Sequence, residues 1–396
     1  MAICKDISTC EKEHIMSMER RTNNIRSFAS PGKYIQGEGV LDQVKSFTSL
    51  YGKAVVFIID INLFDSMKER LSALYGGDAA ISFFPYKGEI TVANLEEYKK
   101  DLSGTPADVF VGVGGGKTID TTKVIAEHFS RPVIIVPTVA STDAPTSGLS
   151  VIYKESGEHS HEIWLKRSPD LVLVDSAVIA KAPVRFLVSG MGDALATYFE
   201  AMANIRSNYV NIVSSEVGYN MGACLAGEEI ARLCYKVLLA NGRKALHAAR
   251  RGIVSPALEN IIEANTLLSG IGFESNGTAA SHAINDGLTA IPTKEIFYHG
   301  ERVAFGVLCQ LMMENIDDQT VDEVYRFCVD VGLPVTLAQL DIAAVTDEVL
   351  NTIAEVAIHN VIHAEPMMVV TRETIKSAVV TADSLGKSYL EGKRLI

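Results

Sequence analysis

Three side chains of the 396-residue chain could together hold a catalytic metal ion: Asp193, His282 and His299. Asp193 stands in Gly192-Asp-Ala-Leu-Ala-Thr197, which reads as the opening of a helix; His282 lies in the small-residue stretch 276–287; His299 directly precedes Gly300. One carboxylate and two imidazoles suit zinc and leave a fourth position open, as a catalytic site requires. The three are 89 and 17 residues apart, so spacing alone leaves core histidines or a helix cap as the alternative. Asp286, four residues after His282, is expected either to orient that imidazole from behind or to be a solvated helix acid.

A second group of residues could hold a nucleotide. Gly112-Val-Gly-Gly-Gly-Lys-Thr118 follows an apolar run and precedes a helical one. Glycines at such a junction let backbone N–H groups approach a phosphate, and a helix N-terminus adds a favourable dipole. A Walker loop would need glycine at 111, which is Val111, and a G-x-G-x-x-G fingerprint would need it at 117, which is Lys117. A pyrophosphate cradle is expected there, with a plain tight turn as the alternative. Asp60 ends an apolar run and could accept from a ribose hydroxyl pair, favouring NAD over NADP. It precedes the glycine loop instead of following it, which excludes the ordinary dinucleotide fingerprint. Pro137-Thr-Val-Ala-Ser-Thr-Asp-Ala-Pro145 packs three hydroxyls and an acid between two prolines, either a ligand loop at a strand end or a hydroxyl-rich turn.

These residues need a scaffold, and the pattern supplies two kinds. Up to about residue 187, apolar runs of strand length at Ala54–Asp60, Val109–Val113, Val133–Val136 and Leu171–Val174 alternate with helical stretches at Asn94–Leu102 and Thr118–Phe129. Such runs suit strands covered on both faces, the mark of a parallel sheet. Beyond 189 the strand signals largely vanish, and helices are expected at Asp193–Asn204, Gly222–Asn241, Pro256–Gly270, Gly300–Asn315, Thr320–Gly332, Asp347–His359 and Arg372–Gly386. Ser255 is placed to cap the helix that Pro256 begins. The expected organisation is an extension over 1–29, an α/β domain with a parallel Rossmann-like sheet over 30–187, and an all-α domain over 188–396, with the site in the cleft between them.

Composition narrows the function. With 36 Lys and Arg against 48 Asp and Glu the net charge is −12, so nucleic acid and anionic lipid are poor partners. No run of about eighteen apolar residues exists, so no membrane span is expected. Residues 1–28 lack an apolar secretory core and mix acids with bases, unlike a transit peptide, and are expected to be loose. The six cysteines form no CxxC pair and read as reduced thiols in the cytoplasm. No G-x-S-x-G elbow is present, which disfavours a serine hydrolase.

In order along the chain, S-P-G-K-Y-I-Q-G (30–37), G-G-G-K-T-I-D-T (114–121), P-T-V-A-S-T-D-A-P (137–145), G-D-A-L-A-T (192–197), G-F-E-S (272–275) and H-G-E-R-V-A-F-G (299–306) resemble the glycerol dehydrogenases of the iron-type alcohol dehydrogenase superfamily, over residues 30 to 385. The resemblance implies a dehydroquinate synthase-like architecture, with Asp193, His282 and His299 as metal ligands and catalytic residues. It implies NAD on Asp60, Gly115, Gly116, Lys117, Thr138, Ser141, Ser147, Leu149 and Tyr153, and polyol against Asp143 and Phe273 beside Asp193 and His282. Iron-type relatives carry a histidine four residues after the aspartate, where this chain has Thr197. Three ligands fit one zinc per subunit better than iron. Octamers are common in the family. The stretches Ile284-Asn-Asp286 and His363-Ala-Glu-Pro366 depart from the family pattern and bear on substrate preference. The expected reaction is reversible NAD-dependent oxidation of glycerol or another vicinal diol at C2. The alternatives are a relative acting on another polyol, glycerol 1-phosphate or a 2-hydroxy acid, a lyase like dehydroquinate synthase, and a catalytically silent nucleotide-binding protein.

Overall fold

The computed structural model describes residues 24–76, 79–155, 159–214, 219–359, 370–393 and 395. Residues 1–23 of the expected extension, with Cys4, Cys10 and His14, and the stretch His363–Pro366 lie outside the described residues.

Six strands form one parallel sheet. They are β2 (Tyr34–Gly37), β3 (Ala54–Asp60), β4 (Ala80–Tyr86), β5 (Val109–Gly114), β6 (Val133–Pro137) and β9 (Leu171–Asp175), in the order β2-β9-β6-β5-β3-β4. Alternate residues serve opposite faces. Phe57, Ile59, Val111 and Leu173 pack with Leu41 and Leu71 on one side. Val56, Ile58, Phe110, Ile135 and Val172 lie on the other, in a core continuous with the helical half of the chain. The strand order reverses between β3 and β5, so the carboxyl ends of those strands flank the crevice where such sheets bind ligands.

On the sheet lie α1 (Phe64–Leu74), α2 (Val92–Leu102) and α3 (Gly116–His128). Thr91 caps α2 by accepting from Asn94 N–H at 3.1 Å. Helix α3 rests directly on β5 because two glycines leave room: a Cβ on Gly112 would meet Thr122 Oγ1 at 2.7 Å, and one on Gly114 would meet Thr118 Oγ1 at 2.6 Å. An antiparallel hairpin, β7 (Leu149–Tyr153) with β8 (His159–Trp164), stands apart from the sheet.

Helices follow: α4 (Val184–Ser207), α5 (Leu225–Ala249), α6 (Pro256–Glu263), α7 (Ser269–Asn276), α8 (Ala280–Thr289), α9 (His299–Met313), α10 (Asp318–Val331), α11 (Asp347–Ile358) and α12 (Arg372–Leu390). The expected boundary at 187/188 falls inside α4. Ser255 caps α6 as expected, accepting from Leu258 N–H at 3.2 Å. Helices α6 and α7 are joined by one π-helical turn, Ala264–Leu268, and it grips the sheet half. Asn265 Nδ2 donates to Ala140 O at 2.9 Å and Leu187 O at 3.1 Å, while Thr146 Oγ1 donates to Thr266 O at 2.8 Å.

Residues 24–29 of the expected extension make ordered contacts with the rest of the chain. Strand β1 (Ile25–Arg26) pairs in parallel with β10 (Met221–Gly222). Asn211 Nδ2 donates to Ser27 Oγ at 2.7 Å and Ser275 O at 2.8 Å. A buried amide thus ties the approach to the sheet to the end of α7.

Candidate metal centre and cofactor cleft

Glycines let the helices that carry Asp193, His282 and His299 touch backbone to backbone. A Cβ on Gly300 of α9 would meet Ser189 O of α4 at 1.8 Å, and one on Gly192 would meet Gly300 O at 2.2 Å. On the far side of α9, a Cβ on Gly306 would meet Ser281 O of α8 at 2.2 Å. No larger residue fits at these crossings, and each lies next to, or one helical layer from, one of the three side chains.

The three ligand atoms lie within 4.8 Å of one another. Asp193 Oδ1 is 3.3 Å from His299 Nε2 and 3.5 Å from His282 Nε2, and it is buried without a well-formed hydrogen bond. A buried acceptor facing two ring nitrogens, with no hydrogen bond between them, is a donor set that fits a divalent cation. The Asp193 side chain is 1% exposed while His282 and His299 are 21% and 36% exposed, so the cluster opens on its histidine side. Burial opposes the charge of Asp193, but His299 and His282 outweigh it and hold the carboxyl well below the usual range. Burial likewise opposes a charged His282, yet Glu200 and Asp193 push its pKa well up.

Asp286 does not orient His282. Its Oδ1 accepts from Asn285 Nδ2 at 3.1 Å, and both ring nitrogens of His282 face other carboxylates. The carboxylate behind the imidazole belongs to Glu200 of α4, whose Oε2 lies 2.7 Å from His282 Nδ1. Sequence reasoning missed Glu200, although a signal existed: it lies seven residues, two helical turns, after Asp193, and therefore on the same face.

Asp143 reaches the cluster from the 137–145 loop. Its N–H donates to Asp193 Oδ2 at 3.3 Å, and its Oδ2 accepts from Ser269 Oγ at 2.8 Å. Burial, then the charge of Asp193, raises the Asp143 pKa well above the usual value. Thr197, one turn beyond Asp193, shares a 2.8 Å hydrogen bond with Ser269 Oγ. Where iron-type relatives are expected to have a ligand, this chain has a hydroxyl pair buttressing Asp143. Phe273 is buried on α7, four residues from Ser269.

On the cofactor side, Asp60 ends β3 and its Oδ1 accepts from Asn62 N–H at 2.9 Å. Helix α3 starts after Gly115 with no side chain capping it, and its first residues lie beside the 137–145 loop. A Cβ on Gly115 would come within 3.4 Å of Val139 and one on Gly116 within 3.6 Å of Thr142. Thr138 is buried and its N–H donates to Gly114 O at 3.0 Å. Ser141 O accepts from Ser189 Oγ at 3.3 Å. Tyr153 N–H donates to Ile90 O at 2.9 Å. Lys117 is drawn aside from the glycine loop, its ammonium 2.7 Å from the Glu89 carboxylate and over the Tyr153 ring.

Lys123 was also missed. It is 1% exposed, lies 2.9 Å from Asp120, and donates to Ala144 O at 3.1 Å, Ser147 O at 3.2 Å and Leu149 O. One buried ammonium therefore pins the segment that contains Ser147 and Leu149.

The family match to iron-containing alcohol dehydrogenases covers residues 31–176. A glycerol dehydrogenase of Pseudomonas putida is 41% identical over 92% of this chain and 99% of its own. The chain belongs to the iron-containing alcohol dehydrogenase family. Within that family it is similar to a second glycerol dehydrogenase, from Thermotoga maritima, at 42% identity over 90% of this chain and 96% of that one. The crystal structure of glycerol dehydrogenase from Schizosaccharomyces pombe superposes with a TM-score of 0.85 at 34% identity, covering 94% of each chain. The parallel-sheet half followed by a helical half is the architecture of this alcohol dehydrogenase family, as the sequence leads one to expect.

Proposed function

We propose that this alcohol dehydrogenase is a zinc- and NAD-dependent glycerol dehydrogenase, oxidising glycerol and related vicinal diols at C2, reversibly, to dihydroxyacetone and its analogues. The observation that carries the reading is the convergence of Asp193, His282 and His299 within 4.8 Å, with Asp143 alongside at the cleft between sheet and helices. Asp193, His282 and His299 would hold one zinc per subunit. When bound, zinc supplies Lewis acidity that lowers the alcohol pKa and NAD supplies the hydride acceptor.

The chain's own residues hold and orient. Asp143 binds a hydroxyl neighbouring the reacting one, which selects diols over simple alcohols, and Ser269 fixes its carboxyl. Phe273 gives an apolar wall. The N-terminus of α3 at Gly115 and Gly116 takes the pyrophosphate, Asp60 the adenosine ribose, and Thr138, Ser141, Ser147, Leu149 and Tyr153 line the rest. Lys117, committed to Glu89, joins the pyrophosphate only by exchanging that partner. Lys123, whose charge reaches Asp143, is tied to Asp120 and three carbonyls, which favours an uncharged polyol over glycerol 1-phosphate or a 2-hydroxy acid. The proposed organisation is a nucleotide domain over 30–187 and a catalytic domain over 188–396, assembled as a homo-octamer in the cytoplasm. No helix among the described residues is long and apolar enough to cross a membrane.

The test is NADH formation from NAD and glycerol on one sample, before chelation, after chelation and after zinc is restored. Activity that falls and returns supports reaction, cofactor and metal together. No turnover of glycerol or 1,2-propanediol by zinc-loaded protein would move the substrate elsewhere in the family.

A further inference from the structure

Glu200 lies wholly buried in α4 and meets α8 with both oxygens. Oε1 accepts from Ala279 N–H at 2.8 Å and His282 N–H at 2.9 Å, and Oε2 faces His282 Nδ1 at 2.7 Å. Helix α8 begins after Ala279, which has no side chain able to cap it, so Glu200 supplies from another helix the cap that α8 lacks. We propose that Glu200 is also the positioning residue of the metal centre: it fixes the His282 imidazole with a proton on Nδ1, leaving the Nε2 lone pair free to face Asp193 and His299. The inference rests on the metal reading above and adds to it the group that makes His282 a ligand.

The argument is one of donors and acceptors. A carboxylate can only accept, so each of its three partners must donate, and Nδ1 must carry hydrogen. In the neutral ring Nε2 is then the acceptor, and a cation needs that lone pair. The Glu200 side chain is 0% exposed, out of reach of bulk water. Two tasks fall to different oxygens of one side chain, so they can be separated. In Glu200→Gln the carbonyl oxygen still accepts from both backbone N–H groups, but an NH2 replaces the oxygen facing Nδ1. That donor requires Nδ1 to accept, which moves the ring proton to Nε2, into the place a cation would occupy.

The experiment strips metal from the purified full chain and measures binding of zinc alone by competition with a chromophoric chelator. Thermal unfolding of the metal-free proteins is the control for the cap. The unaltered protein is expected to bind one zinc per chain. Glu200→Gln is expected to bind about 10- to 100-fold more weakly with its metal-free unfolding midpoint preserved. Glu200→Asp is the second variant: one methylene shorter, it cannot span the two N–H groups and Nδ1 together, and it too should lose at least about tenfold. Either variant folding and binding zinc as the unaltered protein does overturns the proposal alone. Absence of zinc binding by the unaltered protein overturns the metal reading, and this inference with it.

Discussion

Burial raises the pKa of both acids at the cluster, and the charge each one faces decides the outcome. Asp193 faces two imidazoles and stays a strong anion; Asp143, facing Asp193, is pushed towards its neutral form. The geometry that keeps these two acids in different roles includes the Thr197–Ser269–Asp143 chain of hydroxyls. Thr197→Val removes one hydroxyl with little change of shape. Loss of one buried hydrogen bond, about 1 kcal/mol, should raise KM for glycerol about threefold to tenfold while kcat and zinc content hold; an unchanged KM would detach Thr197 from substrate binding. The three clustered side chains were legible through motif resemblance, not through spacing, because residues 89 and 17 apart meet only once helices have packed. Glu200 was hidden for a related reason: its partner is on another helix, while Asp286 offered the tempting one-turn spacing on the same helix.

Elements buried on both faces were the easiest to foresee. β3, β5, β6 and β9 are apolar runs with no solvent side, and their expected limits differ from the observed ones by at most one residue. β4 was not foreseen, since it is an edge strand paired only to β3 and carries Pro85, which an edge tolerates. The half-exposed β7–β8 hairpin was likewise missed, because its polar, partly exposed β8 carries no apolar run. Lys123 shows how an element can hold a loop: from inside α3 it ties down the carbonyls of 144, 147 and 149. Lys123→Met leaves Asp120 buried without its cation and should cost about 3–5 kcal/mol. The same change frees the Ser147–Leu149 segment, so the Kd for NAD should rise as well. Asp120→Asn in the same chain should restore much of the stability but not the affinity. Recovery of both would mean that the carbonyl contacts are unimportant.

At the scale of the whole molecule, the sheet half and the helical half share a continuous core and are cross-linked by buried polar groups. Glu274 of α7 is one of these, accepting from Gly148 N–H at 2.7 Å and from Ser168 Oγ at 3.2 Å. Burial pushes its pKa from 4.5 up to about 7. The folded protein therefore keeps this proton to a higher pH than the unfolded chain does. Between pH 4.5 and about 7 unfolding releases it, so stability falls as pH rises through that window and levels off above it, by at most about 3 kcal/mol from this group. Glu274→Gln should flatten that part of the profile in denaturant titrations and leave the protein more stable at pH 8; an unchanged slope would assign it to other groups. Two halves of different character were legible from the change in periodicity near 189. The contacts between them were not, because polar residues inside helices look alike in sequence whether they face water or a neighbour.

The π turn at Ala264–Leu268 has a bearing on how this chain can vary. A π turn holds one residue more than the α-helical turn it replaces. Deleting any single residue there would let an unbroken α-helix form, at no cost in local hydrogen bonding. Because the π turn already absorbs that extra residue, the segment after it would keep its angular position, and Ser269, Phe273 and Glu274 would still face the cleft. A one-residue gap is thus best absorbed at this turn, whereas the same gap inside the regular turns of α6 or α7 would swing the residues beyond it by about 100°.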